Sequence, residues 1–116
     1  MGGKRKRIED PPILREEALE RIGGGDAFLR ELLALYDREF AVKSKALEKA
    51  VRKSNFAALR ELGHSLKGSS ANLSLPGLRA AAFAIETSGK AGDIDGARAA
   101  LTRLKVEYDR LKAFLV

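Results

Sequence analysis

The sequence contains no cysteine and only one histidine, which excludes several kinds of site. Without cysteine there is no disulfide framework and no thiol chemistry, and a structural zinc site would lack its usual ligands. No apolar run approaches the roughly 20 residues that a membrane-spanning helix needs. No apolar segment typical of a secretory signal lies near the N-terminus. We therefore expect a cytoplasmic protein without a membrane span and without a resident metal or other cofactor.

Aromatic residues are also few, at 6%, and valine and isoleucine are sparse, whereas alanine, leucine, glutamate, lysine and arginine dominate. This balance favours helices over sheet. Charged residues make up 33% of the chain and hydrophobic residues 45%, which is ordinary for a globular helical protein. A length of 116 residues suits one small domain. The composition therefore predicts a single all-α domain.

Most of the net charge of +6 lies in one short run near the N-terminus, Lys4-Arg5-Lys6-Arg7. The rest of the chain carries only +2. We expect residues 1–12 to form a disordered basic tail, followed by a folded domain at residues 13–116. A basic run can attract nucleic acid. The domain itself lacks a basic stripe interleaved with aromatic residues, so nucleic acid is not the partner that we expect.

The spacing of apolar residues predicts five helices, at about residues 13–22, 27–53, 56–73, 77–88 and 94–115. The last four are amphipathic and joined by short connections, which predicts an antiparallel up-and-down four-helix bundle with a short extra N-terminal helix. We expect Asp26 to be the N-cap of the second helix, and the glycines at 89 and 92 to close the fourth.

His64 is predicted to face solvent from the third helix. At about 100° per residue it lies about 200° from Leu62 and Leu66, which belong to the buried stripe. The outer face around it contains small or charged residues, namely Ala57, Arg60, Glu61, Lys67, Gly68 and Ala71. Gly68 removes a side chain that would crowd the imidazole. Two purposes are open for Gly63: the same clearance, or the packing of two helices.

The run from His64 to Ser70 reads H-S-L-K-G-S-S. It resembles the H-x-L-K-G-S-S hallmark of the histidine-containing phosphotransfer (HPt) domains of two-component phosphorelays. Residues 26–33, Leu78 and residues 86–93 extend the similarity. One departure is Ser74, because the family usually has Leu-Gly where this chain has Leu73-Ser74. At the predicted end of the helix, Ser74 could act as a cap.

The resemblance implies that His64 accepts a phosphoryl group from an aspartyl phosphate on a receiver domain and passes it to another receiver. Such receivers occur in response regulators and hybrid sensor kinases. The chain would then be a phosphocarrier and not an enzyme, it would bind no ATP and no small-molecule substrate, and it would act as a monomer. Any Mg²⁺ would belong to the receiver.

Elementary chemistry agrees with this role. A neutral imidazole presents a nucleophilic lone pair near pH 7. Lys67, one turn from His64, can reach the equatorial oxygens on which negative charge collects during phosphoryl transfer. We expect partner binding through Ala57, Arg60, Glu61, Gly68 and Ala71.

Two alternatives remain open from the sequence. The chain could be a non-catalytic helical interaction or scaffold module, or a module that binds nucleic acid through its basic tail. An autonomous kinase is disfavoured, because the sequence has no G-x-x-x-x-G-K-[ST] motif or comparable nucleotide-binding loop.

Overall fold

Five α-helices account for most of residues 11–115, the part of the chain that the computed structural model describes. No strand occurs between these residues, so the prediction of an all-α fold is confirmed. The helices are α1 (Arg15–Ile22), α2 (Gly25–Arg52), α3 (Phe56–Asn72), α4 (Pro76–Ala91) and α5 (Ile94–Leu115).

The four longer helices form the predicted bundle. Each packs against the next along the chain, and α5 closes the bundle by packing against α2. Connections of only two or three residues between them make consecutive helices antiparallel. The short α1 lies across one end, against α2 and α3. In this arrangement α3 has a neighbour on either side, α2 on one and α4 on the other.

The core is built from the apolar stripe of each helix. Leu29, Leu66, Ile85 and Leu104 come from four different helices, and each is at most 1% exposed. One polar contact is enclosed among them, the 2.8 Å hydrogen bond between the hydroxyls of Tyr36 and Ser70. Burial raises the pKa of Tyr36 to about 12. This contact fixes α3 against α2 by a bond that needs both hydroxyls in place.

Several helix ends differ from the prediction by one to three residues, and two of these differences have a clear physical cause. Helix α4 continues to Ala91 and does not end at residue 88, because Gly89 is buried against α3 and Gly92 is the residue that takes the left-handed conformation. Asp26 lies inside the first turn of α2, where its carboxylate pairs with Arg15 at 2.7 Å and caps nothing. The prediction of Asp26 as N-cap is therefore wrong.

The folded part of the chain begins earlier than the sequence suggested. The predicted tail includes Pro12, but this residue is buried, as is Ile13. The basic run predicted as a tail falls in residues 1–10, which lie outside the described residues. None of the helices between residues 11 and 115 combines the length and hydrophobicity that crossing a bilayer requires.

Ser74, the departure from the family pattern, has a left-handed backbone with φ of +57°. Glycine adopts this conformation most easily, which accounts for the usual glycine at this position. The Ser74 hydroxyl does not cap α3 but donates a 2.9 Å hydrogen bond to Glu17 of α1. The serine thus keeps the turn at a conformational cost and gains a contact with α1.

This trade can be measured by two substitutions at one position. Ser74→Ala loses the bond to Glu17 and keeps the backbone strain, whereas Ser74→Gly loses the bond and relieves the strain. Relief of a left-handed non-glycine residue is worth about 1 kcal/mol. We expect urea unfolding to find the glycine variant more stable than the alanine variant by that amount. Equal stabilities would contradict a strained turn.

Candidate functional site

His64 projects from the middle of α3 into solvent. Its side chain is 69% exposed. On the opposite side of the same helix Leu59 and Leu66 are buried in the core. Helix α3 starts regularly, because the side chain of Asn55 accepts a hydrogen bond from the backbone N–H of Ala58 at 3.1 Å. The outward position that the helical spacing predicted for His64 is the position observed.

The imidazole is held by a carboxylate from the neighbouring helix. Nδ1 of His64 lies 3.1 Å from Oε2 of Glu86 on α4. An ionised carboxylate can only accept hydrogen bonds, so Nδ1 is the nitrogen that carries the proton. In a neutral ring the other nitrogen, Nε2, then has the free lone pair. The contact therefore selects the tautomer and orients the ring.

Glu86 also binds two lysines. Its Oε1 lies 2.7 Å from Nζ of Lys67 on α3, and its Oε2 lies 3.6 Å from Nζ of Lys90 one turn along α4. The Lys67 ammonium sits over the ring of Phe83 as well, 5.0 Å from the centroid. Lys67 is therefore not a freely moving surface lysine. It is held within one cluster with His64, between a carboxylate and an aromatic face.

The carboxylate at the centre of this cluster is ionised. Although the Glu86 side chain is only 6% exposed, the contact with Lys67 lowers its pKa to about 2, helped by the hydrogen bond with His64 and opposed by desolvation. Because the pKa in the fold lies below the usual 4.5, the ionised group stabilises the fold above about pH 4.5. That stabilisation is lost as the pH falls towards 2. Near neutral pH the Glu86 carboxylate keeps its full negative charge.

Two glycines bring α3 and α4 close enough for these contacts. A Cβ at Gly63 would lie 2.6 Å from the backbone nitrogen of Glu86, and a Cβ at Gly89 would lie 2.6 Å from that of Arg60. Each glycine thus faces the backbone of the other helix. The two purposes left open for Gly63 are separated by this packing: it serves helix–helix contact. Gly68 faces open space instead, with no atom within 4 Å of a Cβ.

Most of the outer face expected to bind a partner is exposed. Ala57, Arg60, Glu61 and Gly68 lie on the surface. Ala71 is half-buried, and it lines a groove beside α1 instead of the surface around His64. A shallow depression of about 330 Å³ lies next to the imidazole, lined by Arg60, Glu61, His64, Glu86 and Lys90. The surface beside His64 is therefore slightly concave and carries charges of both signs.

The serines of the motif have structural contacts. Ser69 donates a 2.9 Å hydrogen bond to Glu39 of α2, and Lys43 of α2 bonds to both Glu39 and Ser65. Together with the buried Ser70, these contacts attach the flank of α3 to α2. The serines therefore serve packing and hydrogen bonding between the two helices.

The sequence predicts no site role for Glu86, Lys90 or Phe83, and it predicts a helix end at Gly89 instead of a packing contact. A signal for Glu86 was present, because Ala82, Glu86 and Gly89 follow one another at spacings of four and three. Residues at those spacings share one face of a helix. A carboxylate between two small residues on a packing face needs a partner on the facing helix. Phe83 is 53% exposed and lies next to Lys67, and no comparable signal in the sequence points to it.

In a comparison with family models, residues 31–114 match the model of the Hpt domain. The matched region covers most of the chain and includes His64 and Glu86. A search of curated proteins found no match. Within residues 11–115, no three histidine, aspartate or glutamate side chains lie together as a metal site would require.

Proposed function

The chain belongs to the Hpt domain family, phosphocarriers of two-component systems that interact with receiver domains, and on that premise we propose that Nε2 of His64 carries a phosphoryl group between receiver aspartates. The observation that carries this proposal is the bond from Nδ1 to Glu86, which leaves Nε2 unprotonated on an exposed ring. The donor is an aspartyl phosphate on one receiver, and the acceptor is an aspartate on another.

In the charging step, the lone pair of Nε2 attacks the phosphorus of the aspartyl phosphate. The P–Nε2 bond forms, the P–O bond to the aspartate breaks, and the aspartate leaves as a carboxylate. The step needs no proton transfer at Nε2, because the ring proton already sits on Nδ1. An in-line approach requires open space along the Nε2 axis. The absence of a side chain at Gly68 and the depression beside His64 are consistent with such an approach.

The partner surface in this proposal is the exposed surface around His64, formed by Ala57, Arg60, Glu61 and Gly68. Ala71 lies in the groove beside α1 and is not part of it. Phe83 adds an exposed apolar side chain next to Lys67. A receiver that covers this surface would partly exclude water from the transferring group. Desolvation strengthens every charge contact made there. Any Mg²⁺ is held by the receiver.

The proposal is tested by incubating the chain with a panel of phosphorylated receiver domains and by locating the phosphate that it receives. We expect a label that is stable in alkali and labile in acid, as a phosphorus–nitrogen bond is. Because the sequence has a single histidine, a phosphohistidine assigns itself to His64. Nitrogen-15 spectra of the ring should then place the phosphorus on Nε2. A label on Nδ1, or on a serine, would contradict the proposal.

Lys67 is proposed to stabilise negative charge on the moving phosphoryl group, turning from Glu86 towards the phosphate oxygens. One such contact is worth about 1.5–3 kcal/mol. We expect Lys67→Gln to slow transfer from a receiver by roughly 10- to 100-fold. Lys67→Arg keeps the charge near Glu86 and should recover much of the rate. If glutamine and arginine slow transfer equally while both variants stay folded, the charge of Lys67 has no part in the step.

A further inference from the structure

Resting on the proposed function, we propose that the charge of Glu86 sets how readily phosphorylated His64 gives up its phosphoryl group, by holding a proton on Nδ1 of the phosphorylated ring. Glu86 is thus a positioning residue that also acts on the ring electrostatically. It does not touch the phosphoryl group. Its influence would reach discharge to any acceptor, whether a receiver aspartate or water.

Discharge depends on the leaving group. An oxygen of the acceptor attacks phosphorus, a P–O bond forms, and the P–Nε2 bond breaks with its electron pair returning to Nε2. If Nδ1 bears a proton, the ring departs as neutral imidazole. If Nδ1 has lost that proton, the ring must depart as an imidazolate anion, which is a much poorer leaving group. The proton on Nδ1 therefore decides whether the P–N bond is labile.

The geometry keeps Glu86 on that proton. Oε2 lies 3.1 Å from Nδ1, and the side chain is nearly enclosed. The backbone of Glu86 is fixed as well, because it packs directly against Gly63 of α3. The contact is so close that a Cβ at Gly63 would clash with the Glu86 nitrogen. A carboxylate on a fixed backbone, with its other oxygen 2.7 Å from Lys67, has little freedom to turn away from the ring.

The surrounding charges reduce the effect of Glu86 without cancelling it. Lys67 and Lys90 contact the carboxylate, and they offset part of its negative potential at Nδ1. Arg60 and Glu61 of α3 line the same depression with opposite charges. Helix α2 packs on the other flank of α3. Its charged residues there, Lys43 and Glu39, pair with one another at 2.6 Å. Among these groups, Glu86 is the one that accepts a hydrogen bond from Nδ1.

Glutamine at position 86 separates charge from shape. Its amide oxygen can accept the same hydrogen bond from Nδ1, and its size is nearly that of glutamate, so the ring stays oriented while the negative charge is gone. A role in orientation alone would leave the chemistry of Glu86→Gln unchanged. A role of the charge would shift the proton equilibrium on Nδ1. An opposite charge within hydrogen-bond distance typically moves such an equilibrium by one to three pH units.

The experiment charges the chain with phosphoramidate, a small donor that bypasses the receiver. Nε2 attacks its phosphorus, and ammonia leaves. Hydrolysis of the purified phosphoprotein is then followed by phosphorus-31 NMR from about pH 5 to about pH 9, across the range in which imidazoles titrate. The proteins compared are the wild type, Glu86→Gln and Glu48→Gln. Glu48→Gln removes one negative charge from a surface ion pair between Glu48 of α2 and Lys105 of α5. This pair is remote from the cluster around His64.

We expect the pH at which hydrolysis slows to be about one unit lower in Glu86→Gln than in the wild type. This is the low end of the one to three units given above, because Lys67 and Lys90 offset part of the charge of Glu86. At alkaline pH the variant should then hydrolyse roughly tenfold more slowly, since each unit is a factor of ten in the protonated fraction. Glu48→Gln should follow the wild type. Nitrogen-15 spectra of the phosphorylated ring provide a second measurement, in which loss of the Nδ1 proton occurs at lower pH in Glu86→Gln.

The outcomes separate this inference from the proposed function. A labelled His64 whose hydrolysis profile is the same in wild type and in folded Glu86→Gln overturns the inference alone. A shifted profile in a protein that no receiver can charge or discharge supports the inference and defeats the relay. Absence of any label at His64 overturns both. An equal shift in Glu48→Gln would reduce the effect to net charge and overturn the role of Glu86.

Discussion

Replacement of His64 by asparagine is expected to abolish phosphorylation of the chain by phosphorylated receivers and by phosphoramidate alike. The loss should be complete within detection, because 116 residues contain no second histidine to take over. Asparagine places an amide nitrogen near the position of Nδ1, so it can still donate to Glu86. It has no atom at the position of Nε2. The substitution therefore removes the nucleophile and leaves the carboxylate with a partner.

The fold should survive this substitution. The His64 side chain is 69% exposed, and surface changes of this kind usually alter the free energy of unfolding by no more than about 0.5 kcal/mol. Circular dichroism and urea unfolding check the fold, and labelling with a phosphorylated receiver checks the function. Glu48→Gln serves as the matched variant that should keep both. Label that persists in folded His64→Asn would show that the phosphoryl group is carried elsewhere.

The parts of this site that the sequence predicted are those that depend on one helix alone. The exposure of His64 and the nearness of Lys67 follow from about 100° per residue, whatever the rest of the chain does. The bounds of α5, Ile94–Leu115, agree with the prediction for the same reason, since its apolar residues repeat regularly.

The parts that could not be predicted depend on how two helices meet. Glu86 is 22 residues from His64, and nothing in the spacing within either helix gives the register between them. The sequence predicts a helix end at Gly89, because glycine often ends helices, yet Gly89 lies within α4 at the contact with α3. That misinterpretation placed Lys90 outside the helix. It thereby concealed the face that carries Glu86.

The same substitution at two glycines of α3 should have opposite effects on stability. Gly63→Ala is expected to destabilise the protein by about 2 kcal/mol, within the usual range for overfilling a packed interior. The added Cβ would lie 2.6 Å from the Glu86 nitrogen and 2.9 Å from the carbonyl oxygen of Ala82. Both are backbone atoms of α4, so no side chain can turn aside and the two helices must separate.

Gly68→Ala is the matched control, five residues further along the same helix. Its Cβ meets no atom within 4 Å, so the change only replaces a poor helix former by a good one. We expect a gain of about 0.5–1 kcal/mol. Urea unfolding of the two variants beside the wild type measures both shifts. A stabilised Gly63→Ala would mean that α3 and α4 do not approach as closely as described.

Separation of the helices should also reach the site, which gives Gly63→Ala a second readout. Any displacement of α4 moves Glu86 away from Nδ1, because the clash is with the backbone of that residue. The ring would lose its orienting bond while His64 itself is unchanged. We therefore expect folded Gly63→Ala to accept phosphate from phosphoramidate, but with the ring proton no longer confined to Nδ1 in nitrogen-15 spectra. A ring that keeps the wild-type tautomer would show that close packing of α3 on α4 is not what holds Glu86 in place.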